Sequence, residues 1–195
     1  MTSRTATRSI RHTACILSRL SDLRGDRRGV AAIEFAIIVP FMLALYVGGV
    51  ELADGLAIQV KVTDTTHIIA DLVTQQSAVT TPAAVATLLN ASQATIAPYS
   101  ASNLIVTVSE VSTDSNGNAT VTWSQALNGP ERLKGEKMTL PASLAGQANI
   151  SLILGEVVYL YTPNLGYAIT GTVNLSDSYY LFPRNSSSIA CPTCT

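Results

Sequence analysis

Apolar residues run almost unbroken from Val30 to Val50, and the one charged side chain among these 21 positions is Glu34. A helix of about 20 apolar residues spans the hydrocarbon core of a bilayer, so the run predicts a transmembrane helix over residues 30–52. Pro40 lies inside it and removes one backbone hydrogen bond, a loss membrane helices tolerate. Beyond the run the pattern becomes amphipathic. Ile58, Val62, Ile69 and Val73 recur at helical spacing, Thr65 and Thr66 fill the gap, and Gln59, Lys61, Asp64 and Asp71 fall mostly between them. The helix therefore continues to about Gln76, and its second half lays one face on an apolar surface.

Further along, "TTPAAVATLLNAS" predicts a short helix from Pro82 to about Ala94, with Thr81 as N-cap, Pro82 at the first helical position and Asn90 near the end. The period then drops to two. "NLIVTVSEVS" (103–112) and "NATVTWSQA" (118–126) alternate apolar and polar residues around the turn "TDSNGN", which predicts a hairpin. A loop rich in charge, Gly and Pro follows at 128–138. "NISLILGEVVYLYTP" (149–163) is strand-like, with Gly155 reading as a bulge, and 166–183 gives one or two more strands. The segment "RNSSSIACPTCT" reads as a loose end or an edge segment. The predicted fold class is α+β: a long N-terminal helix, a short second helix, then an antiparallel sheet.

Charge adds an orientation. The first 28 residues carry seven of the twelve basic side chains and only Asp22 and Asp26 as acids. From residue 29 onward five basic residues face eleven acids. A basic segment of residues 1–29 before a membrane helix predicts a cytoplasmic leader, with residues 53–195 as an exterior α+β domain. The arginines are spread out and no aromatics interleave with them, so nucleic acid is not a predicted partner. A secretory signal fits poorly, because its apolar region is about 7–15 residues and ends at a small-residue cleavage site. Cys15 lies on the predicted reducing side. Cys191 and Cys194 lie on the other side, where either a small disulfide or two free thiols is compatible with "CPTC". Two cysteines fall short of the usual four-ligand structural zinc site.

Little in the chain suggests catalysis. His67 is the only histidine outside the leader, and Asp64 and Asp71 share its helix face. This sketches a metal site only faintly, and a solvated polar face is the plainer reading. There is no nucleophile elbow or phosphate loop. Five N-x-S/T triplets begin at Asn90, Asn118, Asn149, Asn174 and Asn185, and they carry meaning only in a host that glycosylates them. No enzyme activity, cofactor or metal is predicted.

Glu34 is the informative residue. A carboxylate there snorkels to the headgroups, faces protein in a helical bundle, or meets a positive charge created nearby. Cleavage after Gly29 would create such a charge, the α-amino group of Val30, with Glu34 the fifth residue of the new chain. Paired charges cost far less in lipid than lone ones. A basic segment ending in Gly, an apolar helix, and Glu-aromatic at positions five and six is similar to the processing site of type IV prepilins and pseudopilins. "RRGVAAIEFAIIVPFMLALYVGGVEL" closely resembles the N-terminal signature of TadE/TadG-like proteins of the bacterial tight-adherence (Tad/Flp) pilus systems. Arg28-Gly29, Ala31, Ala32, Glu34-Phe35, Pro40 and Glu51 carry the resemblance.

The resemblance implies a minor pseudopilin, pilin-like in outline. Gly29 would be the last leader residue read by a prepilin peptidase, with cleavage before Val30. Glu34 would act in assembly and Phe35 in recognition or helix packing. The implied partners are that peptidase, other pilins and pseudopilins, the Tad inner-membrane machinery and the lipid bilayer. The implied place is the bacterial inner membrane, single pass, with the N-terminus cytoplasmic and the C-terminal domain periplasmic. The alternative is an uncleaved, membrane-anchored structural or sensory envelope protein.

Overall fold

The computed structural model describes residues 28–164 and 170–194. The predicted cytoplasmic leader up to Arg27 and part of the 166–183 strand reading lie outside the described residues. Helix α1 spans Arg28–Thr74 and contains Pro40. It is followed by α2 (Pro82–Thr95), a 3-10 turn (Ala101–Asn103), and strands β1 (Leu104–Thr113), β2 (Ala119–Leu127), β3 (Lys137–Met138), β4 (Ser151–Tyr161) and β5 (Val173–Leu181). The five strands form one sheet in the order β3-β2-β1-β4-β5, with every pairing antiparallel. This is the predicted α+β architecture. The chain divides between Gly48 and Gly49 into two units.

In the first unit the described residues belong to α1 alone. From Gly29 to Gly48 every side chain is exposed except Val39 and Val47, which are intermediate. Phe35, Phe41 and Leu45 are 67%, 69% and 78% exposed. Apolar side chains in every direction around a helix are the pattern of a segment whose solvent is lipid. Among the described residues this is the one helix long and apolar enough to cross a membrane.

The second unit is built on a core between helices and sheet. Ile58, Val62, Ile69 and Val73 of α1 are buried against Val106, Val108, Trp123, Ile153 and Val157, as the helical spacing predicts. Val85 and Leu89 of α2 join the same core. Thr65 and Thr66 are buried on this face because their hydroxyls donate to the backbone carbonyls of Lys61 and Val62, at 2.7 and 2.8 Å. Thr81 caps α2 as expected, accepting from the Ala84 amide at 3.3 Å. Asn90 does not end α2; the helix runs on to Thr95, and Asn90 accepts from Gln93 on its exposed face.

Two readings need correction. Gly155 is not a bulge, since its register with both β1 and β4's other neighbour β5 is unbroken. It is needed for close approach: a Cβ there would lie 3.1 Å from the Ala70 Cβ and 3.3 Å from the Thr66 carbonyl oxygen. The bulge sits instead between β1 and β2, where Glu110 pairs with Trp123 but Val111 pairs with Val121. The second correction concerns the segment after Pro183. It is bound at several points and is not loose. The Arg184 amide donates to Thr74, the last residue of α1, and Ala190 and Thr80 bond the facing backbone at 2.9 Å each. Ile189 is fully buried in the main core.

Candidate functional site

The sequence-predicted site residues lie at the bare start of α1. Gly29 has open space around it, with nothing within 4 Å of where a Cβ would stand. Val30 is half-exposed, and Glu34 and Phe35 are exposed. Val30 and Glu34, four apart on one helix, share a face. Among the described residues Glu34 has no hydrogen bond and no ion pair. An ionised side chain on a lipid-facing helix is costly until something pairs with it.

Glu110, in the second unit, is a carboxylate in a different situation. It is 2% exposed on the helix-facing side of β1. Its Oε1 accepts from the Ser151 hydroxyl at 2.6 Å and from the Ile189 amide at 2.8 Å. The Ile189 carbonyl in turn accepts from the Trp123 indole N–H at 2.6 Å. Glu110 and Trp123 are cross-strand partners beside the bulge, so the local irregularity brings both to the docking point of one buried isoleucine. Close by in sequence, Cys191 and Cys194 are joined by a disulfide with Cα atoms 5.3 Å apart. Cys191 is buried and Cys194 is partly buried against the core.

A charged cluster lies on the outer face of the sheet. The loop after β2 folds back over β1, and Arg132 grips Glu156 of β4 with two bonds, Nε to Oε2 at 2.7 Å and Nη2 to Oε1 at 2.6 Å. Its Nη1 also donates to Glu136 at 2.9 Å. These bonds to Glu156, more than the attraction of Glu136, push the guanidinium further above its already high range. Gln125 donates to Glu131 on the same loop. Burial, with Glu156 adding to it, raises the Tyr180 phenol.

His67 is not brought together with carboxylates as a metal site. Its ring stacks on Tyr179, with centroids 4.0 Å apart. Asp71 accepts from Arg184 and from Gln75. Among the described residues no cluster of three or more His, Cys, Asp or Glu side chains is placed to hold a metal.

Sequence reading missed the Arg132 cluster and the Glu110–Ile189 link. The first sits in a loop read only as charge-rich. The second joins positions 79 apart, for which local pattern gives no signal.

The family model described as TadE-like protein matches residues 29–71. The matched stretch contains Gly29, Val30, Glu34 and Phe35 and extends along α1 into its packed half, consistent with a TadE/TadG-like protein and a Tad pilus context. No curated protein and no solved structure matches the chain.

Proposed function

We propose that this chain is a minor pseudopilin that takes part in assembling a tight-adherence pilus. In this reading a prepilin peptidase cuts between Gly29 and Val30. The apolar half of α1 crosses the bacterial inner membrane once, with the basic leader cytoplasmic and residues 53–195 periplasmic. The chain serves as a peptidase substrate and as a subunit, not as a catalyst.

The observation that carries the reading is Glu34, without a partner among the described residues, on an otherwise apolar, exposed helix face four residues after Val30. A new amino terminus on a neighbouring subunit supplies a charge for Glu34, which has no such partner among the described residues. The space beside Gly29, where nothing among the described residues lies within 4 Å of a Cβ position, supports access to this segment. The TadE-like match over this same segment supports the pilus context. The periplasmic placement also agrees with a disulfide at Cys191 and Cys194.

The test is the intact mass of the protein purified from its own membrane. The expected mass is that of a chain starting at Val30, with or without a methyl on the amine. Gly29→Leu is expected to retain the leader. A wild-type chain that keeps residues 1–29 would overturn the pseudopilin reading and leave an uncleaved anchored envelope protein in its place.

A further inference from the structure

The outer face of the sheet is covered along only part of its length. Leu140 and Leu144 cover Val111, Leu152 and Leu154, forming a second small core. Beyond the Arg132 loop, Ile105 and Val158 are only partly buried and form, with Pro130, the apolar floor of an open groove. Glu131, Glu136 and Glu156 stand around this floor with Arg132 as the one cation among its lining residues. The groove therefore carries a surplus of negative charge.

The same loop presents the matching shape. Leu133 is 77% exposed, more than any other large apolar side chain among the described residues of the second unit. Lys134 is exposed and has no hydrogen bond or ion pair among the described residues. An apolar knob with an adjacent ammonium thus stands beside an apolar groove with surplus carboxylates. A surface holding both a feature and its complement meets the requirement for a two-fold, isologous contact.

We propose that this patch binds a second copy of the chain, with Leu133 and Lys134 of each copy entering the groove of the other. Leu133 covers Ile105 and Val158, and Lys134 meets the carboxylates of Glu131 and Glu136. Arg132 stays on Glu156, and that two-bond grip holds the groove's wall in place. The charges orient the pair and make its formation salt-sensitive, while the apolar contact supplies most of the attraction. This inference does not depend on leader cleavage or on a pilus, and its test reads neither.

The experiment mixes full-length copies made with ordinary and with heavy nitrogen in lipid nanodiscs. A zero-length carbodiimide cross-linker then joins lysines to nearby carboxylates, and mass spectrometry reads the products. The expected result is Lys134 joined to Glu131 or Glu136 in pairs that combine one light and one heavy peptide. Leu133→Asp would place a charge against the groove floor and is expected to reduce these mixed pairs about tenfold. Unchanged fluorescence of Trp123, buried in the core, reports an intact fold in that variant. Pairs that are only light–light or heavy–heavy would overturn the proposal, as would mixed pairs indifferent to Leu133→Asp. Capture of Lys134 by an unlike subunit in native membranes, in place of a second copy, would overturn it too.

Discussion

The two halves of α1 are one continuous helix with opposite surroundings. From Gly29 to Gly48 apolar side chains point in every direction, and among the described residues of their unit no other element covers them. From Ile58 to Val73 one face of the helix, carrying Ile58, Val62, Ile69 and Val73, is buried against the sheet. The glutamates show the contrast most sharply. Glu110, in the unit that holds the packed half, is buried and has two donors. Glu34, in the bare half, is exposed and has none among the described residues. A fold provides internally for the polar groups it buries, and leaves to lipid or to other subunits the groups it does not. Polar groups of the packed half should therefore matter to stability, and those of the bare half to assembly.

Glu110→Ala is expected to give the largest effect. It leaves the Ser151 hydroxyl and the Ile189 amide without an acceptor in the core, a loss of about 3 kcal/mol. Glu110→Gln keeps an acceptor and should cost about half as much. Trp123 is the chain's only tryptophan and it bonds the Ile189 carbonyl, so its fluorescence during thermal unfolding reads both the stability and the docking of the 184–191 segment. Equal melting of wild type and Glu110→Ala would show that the carboxylate is not what holds Ile189 in place.

Gly155→Val should come next, at about 2 kcal/mol. The new side chain meets Ala70 and the Thr66 carbonyl, and helix backbone cannot yield as a flexible side-chain tip can. The same substitution at Gly48, which has nothing within 4 Å, should leave the melting of the second unit unchanged. A similar effect at both glycines would erase the distinction between the packed and bare halves.

The β1–β2 turn offers a smaller effect with a defined sign. Asp114 takes the side-chain amide of Asn118 on Oδ2 at 2.9 Å and the backbone amides of Asn116 and Asn118 on Oδ1 at 2.8 Å each. These bonds, the Asn118 side chain's foremost, hold its carboxyl below the usual carboxylate value of 3.8. A depressed folded-state value means that the turn's contribution is present above the unfolded value and is lost as pH falls through the lower folded one. A carboxyl-carbon NMR titration should give an Asp114 midpoint below those of unbonded aspartates. Asp114→Ala should remove that early titration and leave Trp123 fluorescence unchanged.

How much of this was legible in the sequence follows from the range of each interaction. The faces of α1, the α2 cap and the principal strands are set by residues within a few positions of one another, and the pattern shows them. Gly155 was ambiguous because glycine in a strand marks either a bulge or a close approach, and Ala70, which decides between them, belongs to another element. Ile189 follows three serines and opens only a three-residue apolar run, with no periodicity to reveal that it fills the core. Strand β3 has only two residues and is held by pairing with Ala119 and Thr120, not by its own propensity. The resemblance to TadE-like proteins was legible because much of the motif that carries it is compressed into the few positions from Gly29 to Phe35. The Arg132 cluster was not, because Glu156 lies 24 residues away on another strand.

Glu34→Ala should have the smallest effect on folding, and for that reason it tests the contrast most directly. No contact within the described residues is lost, so Trp123-monitored melting should shift by less than about 0.5 kcal/mol. Removing a charge from the apolar run should leave membrane insertion intact or improve it slightly. On the proposed function, co-purification with partner pilins should nevertheless fall sharply, because a neighbour's new amino terminus would lose its carboxylate. Glu34→Gln separates charge from shape: it keeps the side chain's length and removes its ionisation, so it should fail in assembly as Glu34→Ala does. If both variants assemble as wild type does, Glu34 is a tolerated interfacial residue and the bare half of α1 is only an anchor. If Glu34→Gln assembles and Glu34→Ala does not, the partner reads a hydrogen-bonding group and not a charge. Loss in both, with melting unchanged, would place the requirement for Glu34 entirely outside its own fold.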